Sequence, residues 1–269
     1  MARKRTRVLL ILSVLITLIF IAQGILFLTS KNNTFIPILL YHNFDYKIKD
    51  SLLPTTITPD EFEEQIKYLT SNGYTGITFT QLYNYINGKQ SLPAKPFIVT
   101  MDDGYYSNYK YAYPILKKYN TPSTIFVVSS YIGNTKYTPF LNWKQAKEME
   151  SSGLIEIQNH SSNHKKHDQL QNNQLISSIT TAQKAIEDNL GKRQIKVFSY
   201  PGGRYNAASI DTLKRLGFQI QLTSLNGIPS KHSDLSNLKR INVKHGMTGK
   251  DIIKKIEILK LVQKTTNIY

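Results

Sequence analysis

The chain has 269 residues, 41% of them hydrophobic, which is enough for one large domain with a sizeable core plus an appendage. It has no cysteine, so a disulfide framework and a thiolate metal site are both excluded, and any metal must be held by nitrogen and oxygen. The net charge of +16 first suggests nucleic acid, a class that the N-terminus argues against.

That N-terminus reads Met1-Ala2-Arg3-Lys4-Arg5-Thr6-Arg7 and runs into an uncharged apolar stretch over 8–28. Its length suits one bilayer crossing, and the basic cluster before it belongs on the cytoplasmic side. The expected layout is a basic tip and transmembrane helix over 1–29, a linker over 30–34, and a domain over 35–269 outside the cell membrane. A cleaved signal peptide would normally have a shorter core; Ala22-Gln23-Gly24 is the cleavage site that reading would use, and the domain would then be secreted. Export is common to both readings. It argues against nucleic acid as a partner and leaves an anionic wall polymer, a membrane surface or plain solvation to account for the charge.

From residue 35 onward, strands are predicted at 36–41, 75–78, 97–101, 123–128, 155–159, 197–200, 219–222 and 240–243. Helices are predicted between them. Thr58-Pro59-Asp60-Glu61 is a capping box with proline at the first helical position, opening a helix that runs to about Ser71. Helical spacing continues over 109–119, 143–152, 174–190, 207–216 and 249–261, with Gly153, Gly191 and Gly217 where helix C-caps belong. Repeated strand–helix alternation predicts a parallel α/β barrel of seven or eight units, with its chemistry at the C-terminal strand ends.

The polar motifs sit at those ends. Thr100-Met101-Asp102-Asp103-Gly104 closes one strand with adjacent carboxylates, which share a proton or a cation when buried. His160-Ser161-Ser162-Asn163-His164 follows another; a helical turn there would put both imidazoles on one face. His167, three residues on, reads as a surface residue. Two histidines and one aspartate make a three-ligand site with an open position, and the second aspartate is free to take a proton. Tyr200-Pro201-Gly202-Gly203-Arg204 offers a backbone N–H for a developing oxyanion. His42, ending the first strand, and His245, in Val243-Lys244-His245-Gly246, compete as general acid.

The three motifs, in this order and spacing, resemble those of the polysaccharide deacetylases of carbohydrate esterase family 4. Leu39-Leu40-Tyr41-His42-Asn43 resembles the branch that deacetylates poly-β-1,6-N-acetylglucosamine. The resemblance covers 35 to about 260. It implies a distorted (β/α) barrel of seven or eight strands, with Asp103, His160 and His164 as metal ligands, Asp102 as general base and Gly202 as oxyanion donor. It also implies a divalent metal, Zn²⁺ with Co²⁺ or Ni²⁺ as alternatives, and a monomer. The substrate would be a polysaccharide containing N-acetylglucosamine, touched by Tyr105, Tyr200 and Pro201. Peptidoglycan, acetyl esters and a glycan-binding protein without turnover are the alternative readings. One departure stands out: the family's arginine that holds the base is replaced by Ser199, leaving Arg240 or Arg204 to take its place.

Overall fold

The computed structural model describes residues 34–48, 55–136 and 138–266, together with Ile16 and Thr17. The expected span over 8–28 lies, apart from those two residues, outside the described part. Among the described residues no helix is long and apolar enough to cross a membrane. The chain divides into two units at Thr34/Phe35, and the second carries the fold.

In chain order it consists of β1 (Ile38–Tyr41), β2 (Asn43–Phe44), β3 (Thr56–Ile57), α1 (Pro59–Ser71), β4 (Thr75–Gly76), α2 (Phe79–Ile86), β5 (Pro96–Met101), α3 (Tyr113–Lys118), β6 (Ser123–Val127) and α4 (Trp143–Ser151). Then follow β7 (Ile155–Asn159), α5 (Asn172–Leu190), β8 (Val197–Ser199), α6 (Ala207–Arg215), β9 (Ile220–Asn226), β10 (Leu238–Asn242) and α7 (Gly249–Thr266). Seven parallel strands close a ring in the order β1-β5-β6-β7-β8-β9-β10, with β1 bonded to β5 on one side and β10 on the other. β4 pairs only with Pro96 and Phe97 of β5 and stays outside the ring. Of the eight expected strands, 75–78 is therefore the one that does not build the barrel. The ring is thin where β7 meets β8 at the single pair Asn159↔Phe198, and it slips register between Leu238 and Arg240.

Alternation along the strands sorts the core. Leu39, Val99, Ile125, Ile157 and Ile241 pack with Phe62, Ile66, Met149, Ile186 and Ile256 of the helices. Ile38, Ile98, Phe126, Ile220 and Leu222 form a second cluster with Phe79 and Leu82. All are essentially inaccessible, and each contributes about 1.5–3 kcal/mol of burial. The capping box of α1 forms as expected, with Glu61 N–H donating to Thr58 Oγ1 at 3.2 Å and Thr58 N–H to Glu61 Oε2 at 2.7 Å. Gly153, Gly191 and Gly217 follow helices with φ of 75°, 86° and 80°.

Three local features differ from expectation. α2 is additional, and its capping box, Thr78 with Gln81, is a signal the hydrophobic pattern masks. β2 and β3 form a two-residue parallel pair. The helix expected over 109–119 is π-helical over Asn108–Ala112 before becoming α3. Pro114, near the start of α3, has no N–H to continue a regular ladder back into the preceding turn.

Candidate active site

Asp103, His160 and His164 converge at one mouth of the barrel. Each offers one ligand atom, and these atoms lie within 4.8 Å of one another. The histidines do not share a helical face. Residues 160–164 form a loop in which Ser161 and His164 take φ of 71° and 56°, and Asp103 faces them with φ of 75°. Among the described residues only one other non-glycine residue has positive φ, so the backbone strain is concentrated here. Buried hydrogen bonds hold it. Ser161 N–H donates to Asn159 Oδ1 at 2.8 Å, His164 N–H to Ser161 Oγ at 3.0 Å, and the Asn159 amide to the Ile179 carbonyl of α5 at 3.1 Å. Gly104 (φ 77°) is required on two counts, since a Cβ there would also come within 2.9 Å of Val127 Cγ1.

The donor set fits a divalent cation. His160 Nδ1 lies 2.7 Å from the Ser199 carbonyl. A carbonyl only accepts, so Nδ1 carries the hydrogen in the neutral ring and the Nε2 lone pair faces inward. His160 Nε2 is 3.3 Å, and His164 Nε2 3.2 Å, from Asp103 Oδ1. That oxygen is buried without a hydrogen-bond partner of acceptable geometry. Three electron-pair donors facing one point call for a shared cation, and two imidazoles plus a carboxylate suit Zn²⁺, Co²⁺ or Ni²⁺ without selecting among them. Burial would raise the Asp103 carboxyl, but in their protonated form, with no cation between them, the two imidazoles outweigh it and hold the carboxyl well below the usual carboxylate range.

Asp102, 3% exposed, ends β5 beside this cluster and donates its N–H to the Tyr41 carbonyl at 3.0 Å, tying two strand ends together. Its carboxylate takes a bidentate pair from Arg240, at 2.8 Å to Oδ1 and 2.6 Å to Oδ2. Ser199 Oγ donates to Oδ2 at 2.9 Å and accepts from Arg240 Nη2 at 2.9 Å. Arg240 is wholly buried, and its Nε is fixed on the Thr223 carbonyl at 3.0 Å. The missing arginine is thus supplied by β10, and the serine in its place completes the same network. Burial pushes Asp102 upward, but the Arg240 guanidinium outweighs it and leaves the carboxyl below its ordinary value.

The other expected residues separate. His42 feels Asp102, Asp103, Arg240 and His160; burial pulls its pKa below the ordinary value against the pull of the two carboxylates. Its carbonyl accepts from Asn108 Nδ2 at 2.7 Å, and the side chain of the next residue, Asn43, accepts from Ser107 Oγ at 2.7 Å. His245 lies elsewhere, with Nδ1 2.9 Å from Glu61 Oε2 of α1 in an exposed pair. Arg204 is spent on Asp168, at 2.8 Å. Tyr105 stacks on Phe140, and burial together with the nearby Asp103 charge pushes its hydroxyl up; Tyr131 lies against the same ring and 6.5 Å from His164. That aromatic wall was not anticipated, because Tyr131 and Phe140 stand in no motif. Gly202 is exposed, with φ of 59°. Tyr200 and Pro201, expected on the substrate, are buried. The Tyr200 hydroxyl donates to Gln221 and its ring stacks on Tyr205, so it supports the Gly202 turn from behind. His167, expected at the surface, is also buried, stacked on Phe198 at 5.0 Å and held neutral by burial with its pKa lowered to about 3.

A parallel barrel with two histidines and two aspartates at its C-terminal mouth is the framework of a metal-assisted hydrolase. The profile of the polysaccharide deacetylase family matches residues 89–221. YxkH of Bacillus subtilis, which carries a polysaccharide deacetylase designation, is 32% identical over 225 residues, covering 84% of this chain and 77% of that protein. The poly-β-1,6-N-acetyl-D-glucosamine N-deacetylase of Staphylococcus aureus is 28% identical over 192 residues, covering 66% of this chain and 65% of the enzyme. Among solved structures, the deacetylase PplD of Streptococcus pyogenes in complex with acetate superimposes with a TM-score of 0.75 at 26% identity, covering 82% of this chain and 98% of PplD. The chain belongs to the polysaccharide deacetylase family, carbohydrate esterase family 4, whose deacetylases are metal-dependent hydrolases of C–N bonds.

Proposed function

We propose that this protein removes acetyl groups from N-acetylglucosamine units of an extracellular or cell-wall polysaccharide, with poly-β-1,6-N-acetylglucosamine as its substrate. The observation that carries the reading is Asp102, held ionised by Arg240 and Ser199 beside Asp103, His160 and His164. It also disfavours a glycan-binding protein without turnover, because the arginine missing at Ser199 is functionally present. The similarity to the S. aureus enzyme supports the choice of glycan.

Asp103, His160 and His164 would hold the cation, which when bound polarises the acetamide carbonyl and acidifies water. Asp102 takes the proton of the attacking water. Its low pKa keeps it ionised and ready to accept, while Arg240 fixes the direction of its free lone pairs. The Gly202 N–H meets the developing oxyanion. His42 gives a proton to the departing amine, and its lowered pKa makes the protonated ring a stronger acid. The products are acetate and a glucosamine amine. In this reading the domain works outside the cell membrane, anchored by 8–28 behind Arg3-Lys4-Arg5. The test is acetate release by the purified protein, with and without added metal, on poly-β-1,6-N-acetylglucosamine, peptidoglycan and an acetyl ester. Metal-dependent release from the first glycan is expected. Release from peptidoglycan alone would move the substrate, and none from any of them would overturn the activity.

A further inference from the structure

The loop that carries both ligand histidines is held at Ser161 by Asn159, and Asn159 is itself held by side chains that stand in no motif. Asn159 is wholly buried at the end of β7, and Gln183 of α5 is nearly so. The Asn159 amide group has two hydrogens. One goes to the Ile179 carbonyl at 3.1 Å and the other to Gln183 Oε1 at 3.2 Å. Its oxygen takes the Ser161 N–H at 2.8 Å, and Ser161 Oγ takes the His164 N–H at 3.0 Å. On its far side Gln183 donates from Nε2 to Glu187 Oε1 at 2.8 Å, and Lys196 Nζ lies 4.0 Å from the same oxygen.

Each link has one workable direction. A carboxylate accepts and cannot donate, so Glu187 draws the NH₂ of Gln183 outward and leaves the Gln183 oxygen facing Asn159. That oxygen draws the NH₂ of Asn159, which leaves the Asn159 oxygen facing the Ser161 N–H. A reversed Asn159 amide would set donor against donor at Ser161 and acceptor against acceptor at the Ile179 carbonyl. Ser161 and His164 carry positive φ of 71° and 56°, so the loop keeps its shape only while the bonds that hold it outweigh the strain. We propose that Gln183, oriented by Glu187, is a positioning residue for the metal loop. It acts through Asn159 and Ser161 to keep the His164 backbone where its imidazole meets His160 and Asp103. The effect on the metal rests on the three-ligand reading of that site; the effect on the loop does not.

The test compares the full-length wild type with Gln183→Met, which keeps an unbranched side chain and removes the acceptor, and with the swap Gln183→Glu/Glu187→Gln. In the swap, a carboxylate at 183 accepts from Asn159 and from the new amide at 187, so the direction toward Asn159 is kept. Two quantities are read: Co²⁺ affinity by competition with a chelating dye, and hydrogen–deuterium exchange over 160–164 in the metal-free protein. Gln183→Met should bind Co²⁺ about tenfold more weakly, the scale of a lost support behind a metal ligand, and its 160–164 amides should exchange faster. The swap should stay within about threefold of wild type in affinity and match its exchange, even where its Tm falls. A side chain that merely fills space in α5 would lower Tm and move neither quantity. Gln183→Met within about twofold of wild type in affinity and unchanged in exchange overturns the proposal, as does a swap that loses as much as Gln183→Met. Should Gln183→Met not fold, Gln183→Ala, which removes the acceptor without a new shape, is read against the same limits. A wild type that binds no Co²⁺ would strike the metal reading instead, and the exchange over 160–164 would still decide the role of Gln183.

Discussion

Arg240→Met tests the network around the base directly. Methionine keeps the length and apolar volume of the arginine stem and removes the guanidinium, which makes five hydrogen bonds to Asp102, Ser199, Thr100 and Thr223. Asp102, 3% exposed, is left with the Ser199 hydroxyl alone on its carboxylate. Breaking a buried ion pair from one side costs about 3–5 kcal/mol. In a domain of this size each kcal/mol moves Tm by about 2–4 °C, so a fall of roughly 6–20 °C is expected at pH 8. The pH dependence carries a definite sign. In the wild type the Asp102 pKa is depressed, so its contribution is present above the ordinary aspartate value and is lost only as the pH falls through the folded pKa. In the variant burial loses its main opponent and raises the pKa, so ionising Asp102 destabilises the fold as the pH climbs. The Tm gap between wild type and variant should therefore widen from pH 5 to pH 8. The double variant Arg240→Met/Asp102→Asn should recover much of the loss, because no uncompensated charge remains buried. Thermal unfolding by circular dichroism at pH 5, 6.5 and 8 reads all of this. A loss under about 2 °C that is equal at all three pH values, or a double variant no more stable than the single one, would refute the reasoning.

Chelation should abolish acetate release and added Zn²⁺ or Co²⁺ should restore it; Asp103→Asn and His164→Ala should lower metal content as read by elemental analysis, whereas Asp102→Asn should keep the metal and lose about 10²–10⁴-fold in kcat. His42→Ala should cost at least about 10²-fold with metal content unchanged, and His245→Ala, which breaks only the exposed pair with Glu61, should stay within roughly tenfold; the reverse ranking would move the general acid. Glu156, on β7, is pushed up to about 7 by burial, so it is protonated in the fold at low pH and its ionisation destabilises the protein as the pH rises from its ordinary value of 4.5 toward 7. Glu156→Gln should therefore raise Tm at pH 8, by at most about 3 kcal/mol of stability, and change it little at pH 4.5; an equal effect at both pH values would count against a titrating Glu156.

Much of the site was readable because its chemistry is local. Asp102-Asp103-Gly104 and the His160/His164 pair declare themselves by residue type and by position after apolar runs that could only be buried strands. Alternating strands and helices implied a barrel, and a barrel implied that strand ends share a mouth. What misled was local extrapolation. Four-residue spacing reads as a helical face, yet His160 and His164 meet through a strained loop that only Asn159 and α5 can hold in place. Tyr200 and His167 look like accessible polar rings beside motifs, yet both are buried, because the strand end and the short turn that carry them fold inward against Phe198.

By itself the sequence determined the strand–helix period, the helix caps and the residue types of a candidate ligand set, since these depend on hydrophobic pattern, backbone preference and donor chemistry within a few residues. Only the tertiary structure decided which arginine serves Asp102 and which histidine shares its mouth. Arg240 is 138 residues from Asp102 in sequence, and Arg204, nearer to the motif that lacks the arginine, is taken by Asp168. His42 and His245 are both plausible strand-end histidines until ring closure bonds β1 to β5 and Glu61 claims His245. Such choices rest on which side chains the closed barrel desolvates together. A buried charge must find its partner across the ring, whatever its distance along the chain.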